Sequence, residues 1–301
     1  MKITLLILGA LMAGTSFSQH RVVELSRTKN PNEISVYIDE DDPKNLLAGA
    51  NIYSLYRSED GGLTWKRKEQ SSTYGVWGDP VLISDYEGNQ YFFHLSDPTG
   101  ENWESEEILD RIVCQKSTDG GKTWNDGSYM GLDHPKDQDK QWVAVDPNNN
   151  NLYTTWTQFD DYGSKDTTDK TNILFSMSTD KGESWSEAIR INEFSGNCLD
   201  GDSTTEGAVP AVGPHGEVYV AWGFNEKIYF NSSLDGGKTW TGGTSIGYHD
   251  KRHDQDKEWA TVNPQNNHLY VSWTEFDKYE STRPQDSTYI LFSKSTDQGE
   301  S

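Results

Sequence analysis

Positive charge is what this chain has least of. Its 26 Lys and Arg stand against 48 Asp and Glu, a formal net charge of -22 over 301 residues. A nucleic-acid binder neutralises phosphates with a clustered positive field, so this composition argues against that class, and it disfavours anionic substrates that lack a local basic pocket. Apolar residues are also scarce, at 33%. The one long apolar run, residues 3–13, is far short of the ~20 residues of a membrane span, so no membrane insertion of the mature chain is expected. The sequence holds no phosphate-binding glycine loop, no Ser or Cys nucleophile context and no Rossmann pattern. His134, His249 and His253 lack the spacing of zinc ligands, and neither metal nor cofactor is implied.

Disorder is the other common outcome of such a charge, but the 11 Trp, 15 Tyr and 10 Phe exceed what a solvated chain carries. The core is therefore expected to be aromatic. Lys2, the apolar run and the small residues Ser16 and Ser18 read as a secretory signal over residues 1–18, with a secreted or periplasmic mature chain from 19. Only Cys114 and Cys198 occur. In an oxidising compartment they could pair, and their spacing leaves the question open.

Internal repetition decides the architecture. SEDGGLTW (58–65) recurs as STDGGKTW (117–124), STDKGESW (178–185), SLDGGKTW (233–240) and STDQGES (295–301), a spacing of about sixty residues. A longer match joins DQDKQWVAVDPNNNNLYTTW from Asp137 to DQDKEWATVNPQNNHLYVSW from Asp254, 117 residues on. Inside a unit, short β-branched and aromatic runs alternate with turns, and no stretch keeps a helical period. The pattern predicts an all-β chain of four-stranded antiparallel blades in a β-propeller, a closure that leaves few edges. In the motif, Ser and Asp side chains can bond turn amides, Gly permits positive φ and Trp can wedge between sheets. The box aspartates Asp60, Asp119, Asp180 and Asp235 therefore read as turn residues rather than catalytic groups.

This motif at this spacing resembles the Asp-box, or BNR, repeat of the sialidase-like β-propellers, from about Glu33 to Ser301. The resemblance implies a propeller that is usually six-bladed, of which about five blades are present. It implies the chemistry only weakly, since the family holds enzymes, glycan binders and scaffolds. The expected fold is one domain, 19–301, incomplete at its C-terminus.

Residues just before each innermost strand should converge at the mouth of the central channel. They are Glu33, Asp79, Asp139 with Lys140, Glu206, and Asp256 with Lys257. Clustered carboxylates raise one another's pKa and can supply an acid and a base, with Lys140 and Lys257 offsetting the repulsion. The competing reading makes D-K-x-W a structural device, each Lys pairing with an acid of a neighbouring blade. Glu206, Asp79, Asp139 and Asp256 are thus the candidate catalytic carboxylates. Lys140, Lys257, Trp142 and Trp259 are the candidate substrate-binding residues, the two Trp for sugar stacking. Trp156, Trp222 and Trp273, at the ends of second strands, read as core.

The resemblance can be followed residue by residue. Sialidases place the first arginine of a carboxylate-gripping triad in a Tyr/Phe-Arg-Ile-Pro motif. The matching stretch here is Trp77-Gly78-Asp79-Pro80, with Gly in place of Arg. Asp110 lies near where the family's acid precedes a box, followed by an outward-facing Arg111. Glu206 lies near the family's catalytic Glu, and the arginine expected near Trp222-Gly223 is replaced. The implied function is a secreted propeller that binds a glycan, a glycoprotein or another protein, or serves as a scaffold, without the full arginine triad. The alternative is an exo-sialidase-like glycoside hydrolase.

Overall fold

Each repeat unit folds into one antiparallel sheet, because its apolar residues recur with period two between Gly- and Asn-rich turns. The computed structural model describes residues 21–26, 28, 31–39, 41–199, 201, 203–246, 253–278 and 281–300. The expected signal segment and His249 lie outside the described residues.

The first sheet is β1 (Ser35–Ile38), β2 (Leu46–Ala50), β3 (Ser54–Ser58) and β4 (Lys66–Glu69), and the second is β5 (Val81–Ser84), β6 (Gln90–Leu95), β7 (Ile112–Ser117) and β8 (Ser128–Met130). The third comprises β9 (Asp137–Val145), β10 (Leu152–Phe159), β11 (Lys170–Ser178), β12 (Ile189–Arg190) and β13 (Gly196–Asn197). The fourth is β14 (Glu206–Val212), β15 (Val218–Phe224), β16 (Lys227–Ser233) and β17 (Thr244–Ile246), and the fifth is β18 (Asp254–Val262), β19 (Leu269–Phe276) and β20 (Thr288–Ser295). Strand order follows chain order in every sheet. Two sheets depart from the four-stranded expectation: β13 adds a second short partner to β11 in the third, and the fifth has three strands among the described residues. Residues 21–26 form no strand.

First strands pack on one another in chain order, β1 on β5, β5 on β9, β9 on β14 and β14 on β18. Four cores lie between successive sheets, and a small fifth one, Ala48, Ala50 and Tyr56 with Trp65, belongs to the first sheet alone. Leu47 and Leu55 meet Leu82 and Phe92; Tyr91, Phe93 and Ile112 meet Trp156 and Leu152; Tyr153 and Phe175 meet Val218 and Trp222; Tyr219 and Phe230 meet Val271 and Trp273. This is the radial packing of a propeller, and it buries the aromatic surface that a separate sixty-residue sheet would leave wet. Trp156, Trp222 and Trp273 are all buried, as their strand-end positions predict.

The boxes do turn work. In the second, Ser117 Oγ donates to Asp119 Oδ1 (2.9 Å) and accepts from Gly121 N (2.9 Å), while Asp119 accepts from Thr123 N (2.9 Å) and Thr123 Oγ1 (2.6 Å). These bonds, led by the Thr hydroxyl, hold the Asp119 carboxyl down at about 2. The second box glycine is required by its neighbour sheet. A Cβ at Gly237, where φ is +88°, would lie 2.3 Å from the Phe175 ring.

Candidate functional site

At the start of the first strands the backbone repeats one irregularity. In β9, Trp142 pairs with Thr155 but Asp139 with Thr157, so Lys140 and Gln141 form a β-bulge. Lys257 and Glu258 form the same bulge in β18, and Gly207 and Ala208 in β14. The first bulge residue is left-handed each time: Lys140 at φ +56°, Lys257 at +58° and Gly207 at +79°. Glu33 and Asp79 share that conformation at +48°. Asp79 is therefore the equivalent of Lys140, and Gly78 the equivalent of Asp139, one residue away from the alignment on aspartate that the sequence suggests. Side chains held at left-handed positions carry backbone strain and concentrate at functional sites.

The bulges turn these residues into one cavity of about 360 Å³. It is lined by Glu33, Asp79, Lys140, Gln141, Trp142, Glu206, Asp256, Lys257, Glu258 and Trp259 with neighbouring apolar residues, and no arginine among the described residues lines it. Every sequence-predicted site residue lies there or touches it. Asp139 sits just behind, hydrogen-bonded to Asp79. Trp142 and Trp259 meet edge-to-face across it.

A chain of carboxyls crosses the cavity wall. Glu33 is raised above the ordinary carboxylate range by its hydrogen bond to Asp79 and then by burial, with Asn51 and Lys140 opposing. Burial raises Asp79, helped by the charge of Asp139. Burial also raises Asp139, against the pull of Lys140. Adjacent carboxyls of this kind share protons and titrate as a group. Lys140 is partly buried, which disfavours its charge, yet Asp139, Asp79, Glu206 and Glu33 together hold it above its usual value. The structure thus supplies Glu206 with a cation from the neighbouring sheet, although none stands beside it in sequence. Lys257 Nζ lies 3.3 Å from Asp256 Oδ2 and Lys140 Nζ 3.9 Å from Asp139 Oδ2.

Asn51 organises the entrance. Its Oδ1 accepts from Asp79 N at 2.6 Å and its Nδ2 donates to Glu33 Oε2. A Cβ at Gly78 would lie 2.4 Å from that Oδ1, at φ +109°, so an arginine has no room where the sialidase motif carries one. Arg111 lies away from the cavity, paired with Asp110 (Nε to Oδ1 2.7 Å) and set over the Tyr74 and Tyr129 rings.

Three groups escaped sequence reasoning. Gln141 donates from Nε2 to the Asp79 carbonyl oxygen, joining the second and third sheets. Glu258 holds the same repeat position in the fifth sheet. Its carboxyl sits against the fourth, where a Cβ at Gly207 would lie 2.9 Å from Oε1, and burial pushes its pKa well up, with Asp256 and Glu206 adding. The third group is aromatic: Trp103, 58% exposed, stacks on Tyr162 at 5.7 Å and meets Trp77 edge-on at 6.0 Å. These rings come from connections at the same end of the sheets as the cavity. The D-K-E-W against D-K-Q-W difference was the one visible signal for Glu258.

No family model matches the chain, and no curated protein matches it. Solved structures do. A protein of unknown function from Dyadobacter fermentans is similar at 17% identity over 87% of this chain and 82% of that one, with a TM-score of 0.57. The α-L-arabinofuranosidase Arb93A of Fusarium graminearum is similar at 14% identity over 88% and 81%, with a TM-score of 0.53. A PL25 ulvan lyase is similar at 14% identity over 89% and 67%, with a TM-score of 0.54. Identities this low carry the fold and nothing further.

Proposed function

We propose that the protein is a secreted, sialidase-like Asp-box propeller whose channel-mouth cavity binds a glycan without the sialidase arginine triad. One observation carries this reading: the starts of five first strands, four of them contributing carboxyls, line a single cavity with Trp142 and Trp259 and with no arginine among the described residues. Carboxylates accept sugar hydroxyls, and indole faces cover the apolar faces of sugar rings. Similar folds in a named arabinofuranosidase and a named ulvan lyase support a carbohydrate ligand. Export rests on the apolar run 3–13. Val36 and Ile38 of β1 and Ile290 and Phe292 of β20 are exposed, which supports a reading in which a further blade covers the first and fifth sheets.

The test is a glycan panel with the parent and Glu206→Gln. Binding by the parent, lost in a variant of unchanged melting temperature, supports the reading, and a panel with no bound glycan removes it. Hydrolysis is the second reading, favoured by the linked carboxyls Glu33, Asp79 and Asp139, all raised above the ordinary carboxylate range, which is the direction an acid catalyst needs. Release of sugar from fluorogenic glycosides, lost in Asp79→Asn, would make the site catalytic.

A further inference from the structure

The cavity accepts far more hydrogen bonds than it can donate. Among the described residues, five carboxyl side chains, Glu33, Asp79, Glu206, Asp256 and Glu258, line it against two ammonium groups. Both ammonium groups already face carboxylates, Lys257 that of Asp256 and Lys140 that of Asp139. A second observation is independent of these acids. Gln141 lines the same wall and is 2% exposed; its Nε2 is committed to the Asp79 carbonyl, while Oε1 is buried with no partner. A buried acceptor without a donor is costly, and a ligand N–H or O–H offsets that cost.

The aromatic groups point the same way. Trp259 is 51% exposed and lies beside Trp142, with Glu258 next to it in the chain and Asp256 three residues before it. An indole face next to carboxylates attracts a cation twice, through the ring quadrupole and through charge. An acidic sugar meets more carboxyl than ammonium groups there. A neutral sugar supplies hydroxyl donors but no counter-charge.

Within the glycan-binding reading, on which this rests, we infer that the cavity selects sugars bearing a free protonated amine, a glucosamine-type oligosaccharide, over N-acetylated or acidic counterparts. The probes are a β-1,4-linked glucosamine tetramer and its fully N-acetylated twin, which share rings and linkages and differ at nitrogen. Calorimetric titration at about pH 6 keeps the amines charged. The amine tetramer should bind about ten-fold tighter or more. Because the preference is electrostatic, it should shrink several-fold from about 50 to about 500 mM salt. Glu206→Gln with Asp256→Asn should reduce it to about three-fold or less, with the parent's melting temperature retained.

Equal binding of the acetylated tetramer overturns the inference and leaves the glycan reading standing. The inference also falls, with the glycan reading intact, if neither tetramer binds while a neutral glycan of the panel does. If no glycan of any kind binds, both fall. A simple alkyl diamine that binds as tightly as the amine tetramer overturns the assignment to a sugar.

Discussion

The indole rings of Trp142 and Trp259 meet with centroids 5.1 Å apart and planes 89° apart, although they belong to the third and fifth sheets. The two residues hold the same position of repeat units 117 residues apart. Each follows a bulge that turns it toward the channel, so the pair spans the fourth sheet's first strand. An edge-to-face pair contributes about 0.5–1.5 kcal/mol beyond its buried area. A double-mutant cycle with Trp142→Ala and Trp259→Ala, read by urea unfolding, should return a coupling of about that size. A coupling indistinguishable from zero would show that the rings do not brace the channel. In the glycan panel Trp259→Ala should lose affinity out of proportion to its stability loss, since half of that ring faces solvent.

Asp119 makes its bonds within its own turn, so its effect should stop there. Asp119→Ala leaves the amides of Lys122 and Thr123 and the hydroxyls of Ser117 and Thr123 without the carboxylate. The site is largely exposed and water replaces part of the loss, which keeps the expected cost to about 1–2 kcal/mol. Folding lowers this carboxyl to about 2 from an ordinary 3.8. The stabilisation is therefore present above the unfolded value and lost as pH falls toward 2. The gap between parent and variant should narrow over that window while glycan affinity at neutral pH stays unchanged. Lost binding with unchanged stability would contradict the turn role.

Much of this architecture was legible because one turn recurs with its own chemistry. Ser117, Asp119 and Gly121 reappear as Ser178, Asp180 and Gly182, which sets the repeat length and so the sheet packing. The buried Trp156, Trp222 and Trp273 followed from their places at strand ends. The bulge was not legible, because a left-handed Lys140 looks like any lysine in sequence. Aligning Asp79 with Asp139 was therefore off by one residue, and the Glu33–Asp79–Asp139 chain depends on that offset. Glu258 stayed hidden because Gln-to-Glu looks like a change on a wet surface. Only the packing of the fifth sheet on the fourth makes it a buried acid. Trp103 and Tyr162 were hidden for a different reason, since they meet through two connections that share no motif.

Cys114 and Cys198 are free and buried, the first in β7 and the second just after β13. Burial raises both thiols, and Cys198 Sγ also contacts the Lys170 carbonyl at 3.4 Å. A thiol held protonated and out of solvent reacts slowly. A small alkylating reagent at neutral pH should therefore modify neither in the native protein and both in denaturant. Rapid native labelling, or a failure to label after denaturation without reductant, would contradict the free, buried state.

Glu258 should tie stability to pH. Folding moves this carboxyl above its ordinary 4.5, chiefly through burial, so the folded chain holds the proton more tightly than the unfolded one. Below the unfolded value both states are protonated and nothing is lost. As pH rises past it toward the folded value, the unfolded state releases the proton first and stability falls. Gln141, at the same position of the third sheet, fills its place with an amide that needs no proton. Glu258→Gln should therefore raise the melting temperature at about pH 8, where about 1 kcal/mol corresponds to a shift of about 2–4 °C. At about pH 4 the two proteins should melt together. A shift of equal size at both pH values would mean that the substitution acts through packing alone. A variant less stable than the parent at the higher pH would show that the ionised carboxylate is welcome beside Gly207, and the buried proton would have to be abandoned.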